Sequence, residues 1–116
     1  MKISSEIKVI FNIEIENDKI IYSREGLYKH ILKRNHNDVI KYFDNLENIV
    51  NNPDYVGMSS RNNLPSFEYV KCYDDNVLVA VRLNKKKGFF YIASMYIITD
   101  SKLESRIRSG RLKYLN

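Results

Sequence analysis

The chain has 116 residues, of which 44% are hydrophobic and 28% charged, a composition typical of one compact soluble domain. Its net charge of +5 is uneven, because residues 1–58 carry 8 basic and 9 acidic side chains while residues 59–116 carry 11 basic and 5 acidic ones, which favours a polyanionic partner or a plain basic surface. A single cysteine excludes an intramolecular disulfide, and no apolar run is long enough to cross a bilayer.

The first third of the chain is predicted to hold a strand pair followed by a helix. Ile7 to Ile15 alternates apolar and polar residues in its second half, so it is expected to be a strand with Lys19 to Tyr22 as its partner. Ser23 is the expected N-cap of a helix over residues 24–33, because apolar residues recur there one turn apart. We expect Asn35 or Asn37 to end this helix.

The rest of the chain is predicted to form a second helix and an antiparallel meander. An apolar stripe at helical spacing begins after Asn37 and ends at Asn52–Pro53, since proline disfavours helix in the residue before it. Residues 54–65 are predicted to be a loop, and residues 101–116 a basic segment with a short helix before Gly110. The predicted strands are Phe67 to Tyr73, Val77 to Leu83 and Phe89 to Thr99.

This order of elements predicts a single α+β domain over residues 1–116. Helices are expected to pack on one face of a roughly four-stranded antiparallel sheet. The other face of such a sheet can stay in contact with water and offer a surface to a polyanion. Cys72 lies in an apolar run and is expected to be a small core residue.

Both histidines lie in one basic run, Tyr28 to His36. Imidazole gains and loses a proton near neutral pH, and lysine and arginine are the usual partners of phosphate. His30, Lys33 and Arg34 share one helix face at spacings i, i+3 and i+4. His36 can join them only if the chain bends near Asn35. The alternative is a packed or capping His30 on a solvated helix, with His36 at the entry of the next helix.

The run fits the needs of an enzyme that cleaves RNA without a metal. RNA carries its own nucleophile, the 2′-hydroxyl, so such an enzyme needs a base, an acid and cations that stabilise the phosphorane. Two histidines with Lys33 and Arg34 supply these groups. No cofactor is expected, and no metal site, because the chain lacks the Cys-x-x-Cys and His-Glu-x-x-His patterns of zinc proteins.

A second cluster of polar side chains lies in the last predicted strand. Alternation places Ser94 and Tyr96 on one face of this strand. Their hydroxyl groups are able to hold a scissile phosphate; the alternative is that they are the ordinary polar residues of a half-exposed strand. Lys71 and Arg82 on neighbouring strands are expected to line the same face. RNA contacts are predicted for Lys71, Arg82, Arg108 and Arg111.

Taken in chain order, several segments resemble the phage-associated branch of the barnase–EndoU–colicin–RelE-like nuclease fold. They are His30 to His36, Asn52 to Gly57, Ser66 to Tyr69 and Tyr91 to Tyr96, and the resemblance covers roughly Ser23 to Ile98. It implies metal-independent RNA cleavage in toxin or phage-conflict settings, often with a neutralising protein partner. By position it implies a catalytic role for His30, with Lys33 or Arg34 nearby, and a polar role for Ser94.

The leading hypothesis is therefore a cytoplasmic, toxin-like endoribonuclease without a membrane partner. His30 acts as base or acid with His36 as its partner, Lys33 and Arg34 stabilise the phosphate, and Ser94 and Tyr96 position it. One alternative is a non-catalytic module of the same fold that binds nucleic acid or protein. Another is an antitoxin or phage accessory protein, for which the basic charge is incidental.

Overall fold

One mixed sheet organises the chain in this computed structural model, which describes residues 1–61 and 64–115. In that part of the chain the sheet has six strands in the order β1-β5-β4-β3-β2-β6. The strands are β1 Ile20–Ile21, β2 Tyr55–Arg61, β3 Leu64–Cys72, β4 Asn76–Asn84, β5 Phe89–Ile98 and β6 Leu112–Tyr114. The helices are α1 Ser5–Ile10, α2 Arg24–Lys33, a 3₁₀ helix Asn37–Asn45, α3 Leu46–Asn51 and α4 Asp100–Arg108.

The central strands β2 to β5 form the antiparallel meander, and two short strands extend it at its edges. β1 pairs with β5 in parallel, with Ile20 opposite Phe90, and β6 pairs antiparallel with β2. The predicted α+β class is confirmed, but the prediction of a four-stranded, purely antiparallel sheet is wrong. Strand β1 lies within the predicted strand Lys19 to Tyr22, although it pairs with β5 and not with residues 7–15. The three-residue strand β6 is too short to produce the alternation by which a sequence reveals a strand.

The two faces of the sheet are covered by different helices. The main core lies between one face and the elements before β2, with residues such as Ile31 and Phe43 packed with Val79 and Met95. On the other face, Leu103 of α4 packs with a smaller cluster of Val70, Leu78, Ile98 and Leu112. The prediction that helices cover only one face is therefore wrong.

We call this second surface the α4 face. Cross-strand pairs show which other side chains share it, since directly opposed residues point to the same side of a sheet. Starting from Leu78 in the α4 cluster, the register and the alternation along each strand define its members. They include Ser66, Glu68, Ala80, Arg82, Ser94 and Tyr96.

The predicted strand over residues 7–15 is wrong, because the chain forms α1 there. The Ser4 hydroxyl accepts a hydrogen bond from the Ile7 amide at 3.3 Å, which satisfies one of the free donors at a helix start. Only Ile7 of this short helix is buried, so its apolar residues leave no helical stripe in the sequence. The helix ends before Asn12, which has a φ of 50°.

The predicted helix over residues 24–33 is confirmed, with the Ser23 hydroxyl accepting from the Gly26 amide at 3.0 Å. The helix predicted after Asn37 starts as 3₁₀ and becomes α-helical at Leu46. Part of the predicted loop over residues 54–65 is strand β2, and residues 62–63 lie outside the described residues. Cys72 is exposed, so its predicted place in the core is wrong.

Candidate active site

Helix α2 ends in a tight bend that changes the direction of the chain before His36. Asn35 adopts a left-handed conformation with a φ of 58°, which asparagine tolerates better than most residues. Its amide donates to the Leu32 carbonyl at 3.1 Å, and the His36 amide donates to the Ile31 carbonyl at 3.0 Å. These two bonds form a Schellman motif. The bend expected near Asn35 is therefore present.

The bend lets both histidines contact the same strand. His30 Nε2 lies 3.3 Å from Ser94 Oγ, and the His36 ring stacks on the Tyr96 ring with centroids 5.3 Å apart and planes at 27°. Ser94 and Tyr96 are two residues apart on β5, and both belong to the α4 face. The structure thus brings together the two histidines and the two hydroxyl-bearing residues that the sequence analysis singled out.

The surroundings of His30 favour its neutral form. Partial burial is the largest cause of a pKa below the ordinary value, and the positive charges of Arg34, His36, Arg82 and Lys33 lower it further. Lys33, Arg34 and Arg82 are exposed, so they form a cationic rim that a polyanion can reach. A neutral imidazole in a cationic setting is able to accept a proton near a bound phosphate.

A buried carboxylate lies on the α4 face, two strands away from β5. Glu68 is 6% exposed and lies on β3 opposite Ala80, which lies opposite Ser94. Its two oxygens accept hydrogen bonds from Arg111 Nε at 2.8 Å and Arg111 Nη2 at 2.9 Å, and Arg106 Nη1 lies 3.6 Å away. The bidentate contact with Glu68 is the main reason that the pKa of Arg111 is raised, and the nearby Tyr96 adds to it.

Two residues predicted to bind RNA, Lys71 and Arg108, lie on β3 and on α4. Lys71 stands opposite Val77 of the main core, on the face opposite to Arg82, and its Nζ lies 3.4 Å from Asp54 Oδ1. The expectation that Lys71 and Arg82 line one face is therefore wrong, because Lys71 is five residues from Ser66, the partner of Arg82. Arg108 is exposed in the last turn of α4.

Arg111, for which an RNA contact was predicted, pairs with the buried Glu68 carboxylate. One edge of its guanidinium group is committed to Glu68, although the side chain keeps 46% of its exposure. The sequence analysis assigned no role to Glu68 or Arg106. The available signal was a single acidic residue among the apolar residues Phe67, Tyr69 and Val70, because a carboxylate buried in such a run needs a cationic partner.

Within residues 1–61 and 64–115, no three histidine, cysteine or acidic side chains cluster in a way that would hold a metal ion. None of the helices in the described part of the chain is long and apolar enough to cross a membrane.

The chain was compared with known protein families, and it matches one of them over most of its length. Residues 1–105 match the model of a family described as phage-Barnase-EndoU-ColicinE5/D-RelE like nuclease 3. The matched range contains both histidines, Ser94 and Tyr96, and it ends before Arg106 and Arg111. No curated protein matches the chain. No solved structure matches it either.

Proposed function

Because the chain belongs to the phage-Barnase-EndoU-ColicinE5/D-RelE like nuclease 3 family, we propose that it is a metal-independent endoribonuclease of toxin type. The observation that carries the proposal is the convergence of His30 on Ser94 and of His36 on Tyr96 within a cationic rim. Two imidazoles beside a phosphate site fit general acid–base cleavage of RNA.

The proposed reaction is a transesterification within the RNA. His30 accepts the proton of a 2′-hydroxyl, and the 2′-oxygen attacks the adjacent phosphorus. The bond from phosphorus to the 5′-oxygen breaks as His36 donates a proton to that oxygen. The products are a 2′,3′-cyclic phosphate and a 5′-hydroxyl. The lowered pKa of His30 supports its assignment as the base, because its neutral form is the one that takes up a proton.

The cations act on the phosphate. Lys33, Arg34 and Arg82 place positive charge where the phosphorane gains negative charge, and preorganised charge of this kind lowers the barrier to its formation. Ser94 and Tyr96 position the phosphate and the two imidazoles, Ser94 through its contact with His30 and Tyr96 through its stack on His36. The proposal includes action in the cytoplasm and a neutralising protein partner, because a nuclease of toxin type would need protection of the cell that makes it.

The decisive test incubates the purified protein with total RNA in EDTA, beside His30→Ala and His36→Ala variants. We expect the protein to cleave RNA to fragments with 2′,3′-cyclic ends, and each substitution to slow cleavage roughly 10²- to 10⁴-fold, the usual size of an acid–base contribution. Lys29→Ala is the matched control, because Lys29 is an exposed cation of the same helix that pairs with Glu25 at 3.0 Å.

Intact RNA in the presence of the protein, or equal cleavage by the protein and the His30→Ala variant, would refute the proposal. Salt-sensitive RNA binding without cleavage would instead indicate a binding module of the same fold. A stable complex with another protein and no affinity for RNA would indicate an antitoxin or phage accessory protein.

A further inference from the structure

A cavity of about 380 Å³ opens beside His30. It lies between the first half of α2, which contributes Gly26, and the β4–β5 hairpin, which contributes Asn84, Tyr91 and Ala93. Its size is within the range of roughly 300–1,000 Å³ that small-ligand sites span in proteins. His30 belongs to its wall, so the cavity adjoins the candidate active site.

The cavity differs in chemistry from the rim next to it. Its eleven lining residues include no lysine, arginine, aspartate or glutamate, although Lys33, Arg34 and Arg82 are near enough to His30 to lower its pKa. Aromatic side chains of Tyr22, Phe89 and Tyr91 contribute to the walls, and the small residues Gly26 and Ala93 leave room between them. An uncharged, flat, aromatic ligand suits such walls, and a phosphate does not.

We infer that this cavity binds a nucleobase of the RNA, the one on the ribose whose 2′-hydroxyl meets His30. This inference rests on the proposed function. The candidate active site contacts the 2′-hydroxyl and the phosphate of the RNA, and the cavity beside it would bind the base. The 2′-hydroxyl and the base are attached to adjacent carbons of the ribose. A nucleotide whose hydroxyl contacts His30 therefore places its base within a few ångströms of the same imidazole.

The walls supply the two interactions by which proteins hold single-stranded bases. Tyr91 and Phe89 offer aromatic surface on which a base stacks. The Asn84 carboxamide is oriented, because its oxygen accepts a hydrogen bond from the Lys87 amide at 3.2 Å. Its NH₂ group is the donor for an acceptor on the edge of the base.

The test measures binding, not cleavage. Fluorescent 2′-fluoro tetranucleotides lack the nucleophile and stay intact, and a matched set lacks one base at a time. We expect the protein to bind the complete tetranucleotide roughly 5- to 100-fold more tightly than the one without the base that enters the cavity, the strength of base–aromatic stacking. Tyr91→Ala, which removes a wall, and Ala93→Leu, which fills the space, should bring this ratio close to one.

Tyr114→Ala is the matched control, because Tyr114 is a 65% exposed tyrosine of the opposite edge strand, and it should keep the ratio of the unchanged protein. Thermal melting establishes whether each variant is folded. If Ala93→Leu is unfolded, the result for Tyr91→Ala alone decides the test. A ratio near one for the unchanged protein, or an unchanged ratio in Tyr91→Ala, would overturn the inference. A protein that discriminates by base but does not cut RNA overturns the proposed function alone.

Discussion

His30 is tuned toward its neutral form by two physical effects. Its partial burial costs the imidazolium part of its hydration, and the positive charges of Arg34, His36, Arg82 and Lys33 repel the proton. Both effects act in the same direction. A base that is neutral at the working pH is ready to accept a proton, which is the role proposed for it.

The pH dependence of cleavage should report this tuning. We expect kcat/KM to fall at acid pH with an apparent pKa below 6.5, the ordinary value for histidine, since protonated His30 cannot act as base. Arg82→Ala removes a positive charge that repels the proton on His30. Its loss should raise the pKa of His30, so the acid limb of the profile should move to higher pH. The measurement is a pH–rate profile of each variant at constant ionic strength.

Lys29→Ala provides the comparison, because Lys29 pairs with Glu25 and is not among the four charges that lower the pKa of His30 most. It should leave the acid limb in place. A limb that moves to lower pH in Arg82→Ala, or one that moves as far in Lys29→Ala, contradicts the electrostatic account.

At the level of single residues, local periodicity predicted part of the site. The shared face of His30, Lys33 and Arg34 follows from helical spacing alone. Ser94 lies 64 residues away, so spacing predicts only its strand face, and its link to His30 came from the family resemblance. Lys71 was misplaced because the predicted strands carried no register. Its face depends on which residue stands opposite Arg82.

The end of α2 is the element that places His36. The same motif recurs at the end of α1, where Asn12 has a φ of 50° and its amide and that of Ile13 donate to the carbonyls of Val9 and Lys8. Both asparagines are exposed. The two bends at Asn12 and Asn35 are thus equivalent, and the one at Asn35 leads into a candidate catalytic residue.

This pair allows a matched test of the bend. Asn35→Val should lower the free energy of unfolding by about 1–2 kcal/mol, because a β-branched residue is strained at positive φ. It should also slow cleavage roughly 10- to 100-fold by displacing His36, while Asn35→Gly keeps both properties. Urea unfolding and cleavage assays at a temperature where the variants are folded measure the two effects.

Asn12→Val should cost similar stability and leave cleavage unchanged. Equal losses of cleavage in Asn12→Val and Asn35→Val would mean that stability, and not the position of His36, explains the effect.

Elements with a strong local signal were predicted well, and those that depend on distant partners were not. The Ser23 cap and the apolar periodicity of α2 act within a few residues. Strand β1 has two residues and exists because β5 pairs with it, and β6 exists because β2 does. The sequence predicted a strand at β1 but assigned it the wrong partner, and it gave no signal for β6, because the pairing of an edge strand depends on the assembled sheet.

For the molecule as a whole, the Glu68–Arg111 pair joins the meander to the C-terminal segment. Gly57 permits the close approach, because a Cβ there would lie 2.5 Å from the Arg111 carbonyl oxygen. β6 then pairs with β2 alongside it. The pair lies on the α4 face, which also contains Tyr96, and Arg111 is near enough to Tyr96 for the phenol to help raise its pKa.

We expect Arg111→Ala to lower the free energy of unfolding by about 2 kcal/mol, because it leaves the buried Glu68 carboxylate with only the more distant Arg106. Arg108→Ala, an exposed arginine of α4, should change it by less than about 0.5 kcal/mol. Denaturant unfolding of both variants measures the difference. Equal stabilities would show that the Arg111 contact contributes nothing measurable.

The contact between His30 and Ser94 also has a consequence for when activity arises. The two residues are separated by 64 positions, and Ser94 lies on β5, which is paired with β4 in the sheet. A growing polypeptide in which both histidines have been synthesised therefore still lacks Ser94 and Tyr96, the other half of the candidate site. The ribosome that makes this chain is not exposed to a completed site until the last long strand has been synthesised and has joined the sheet.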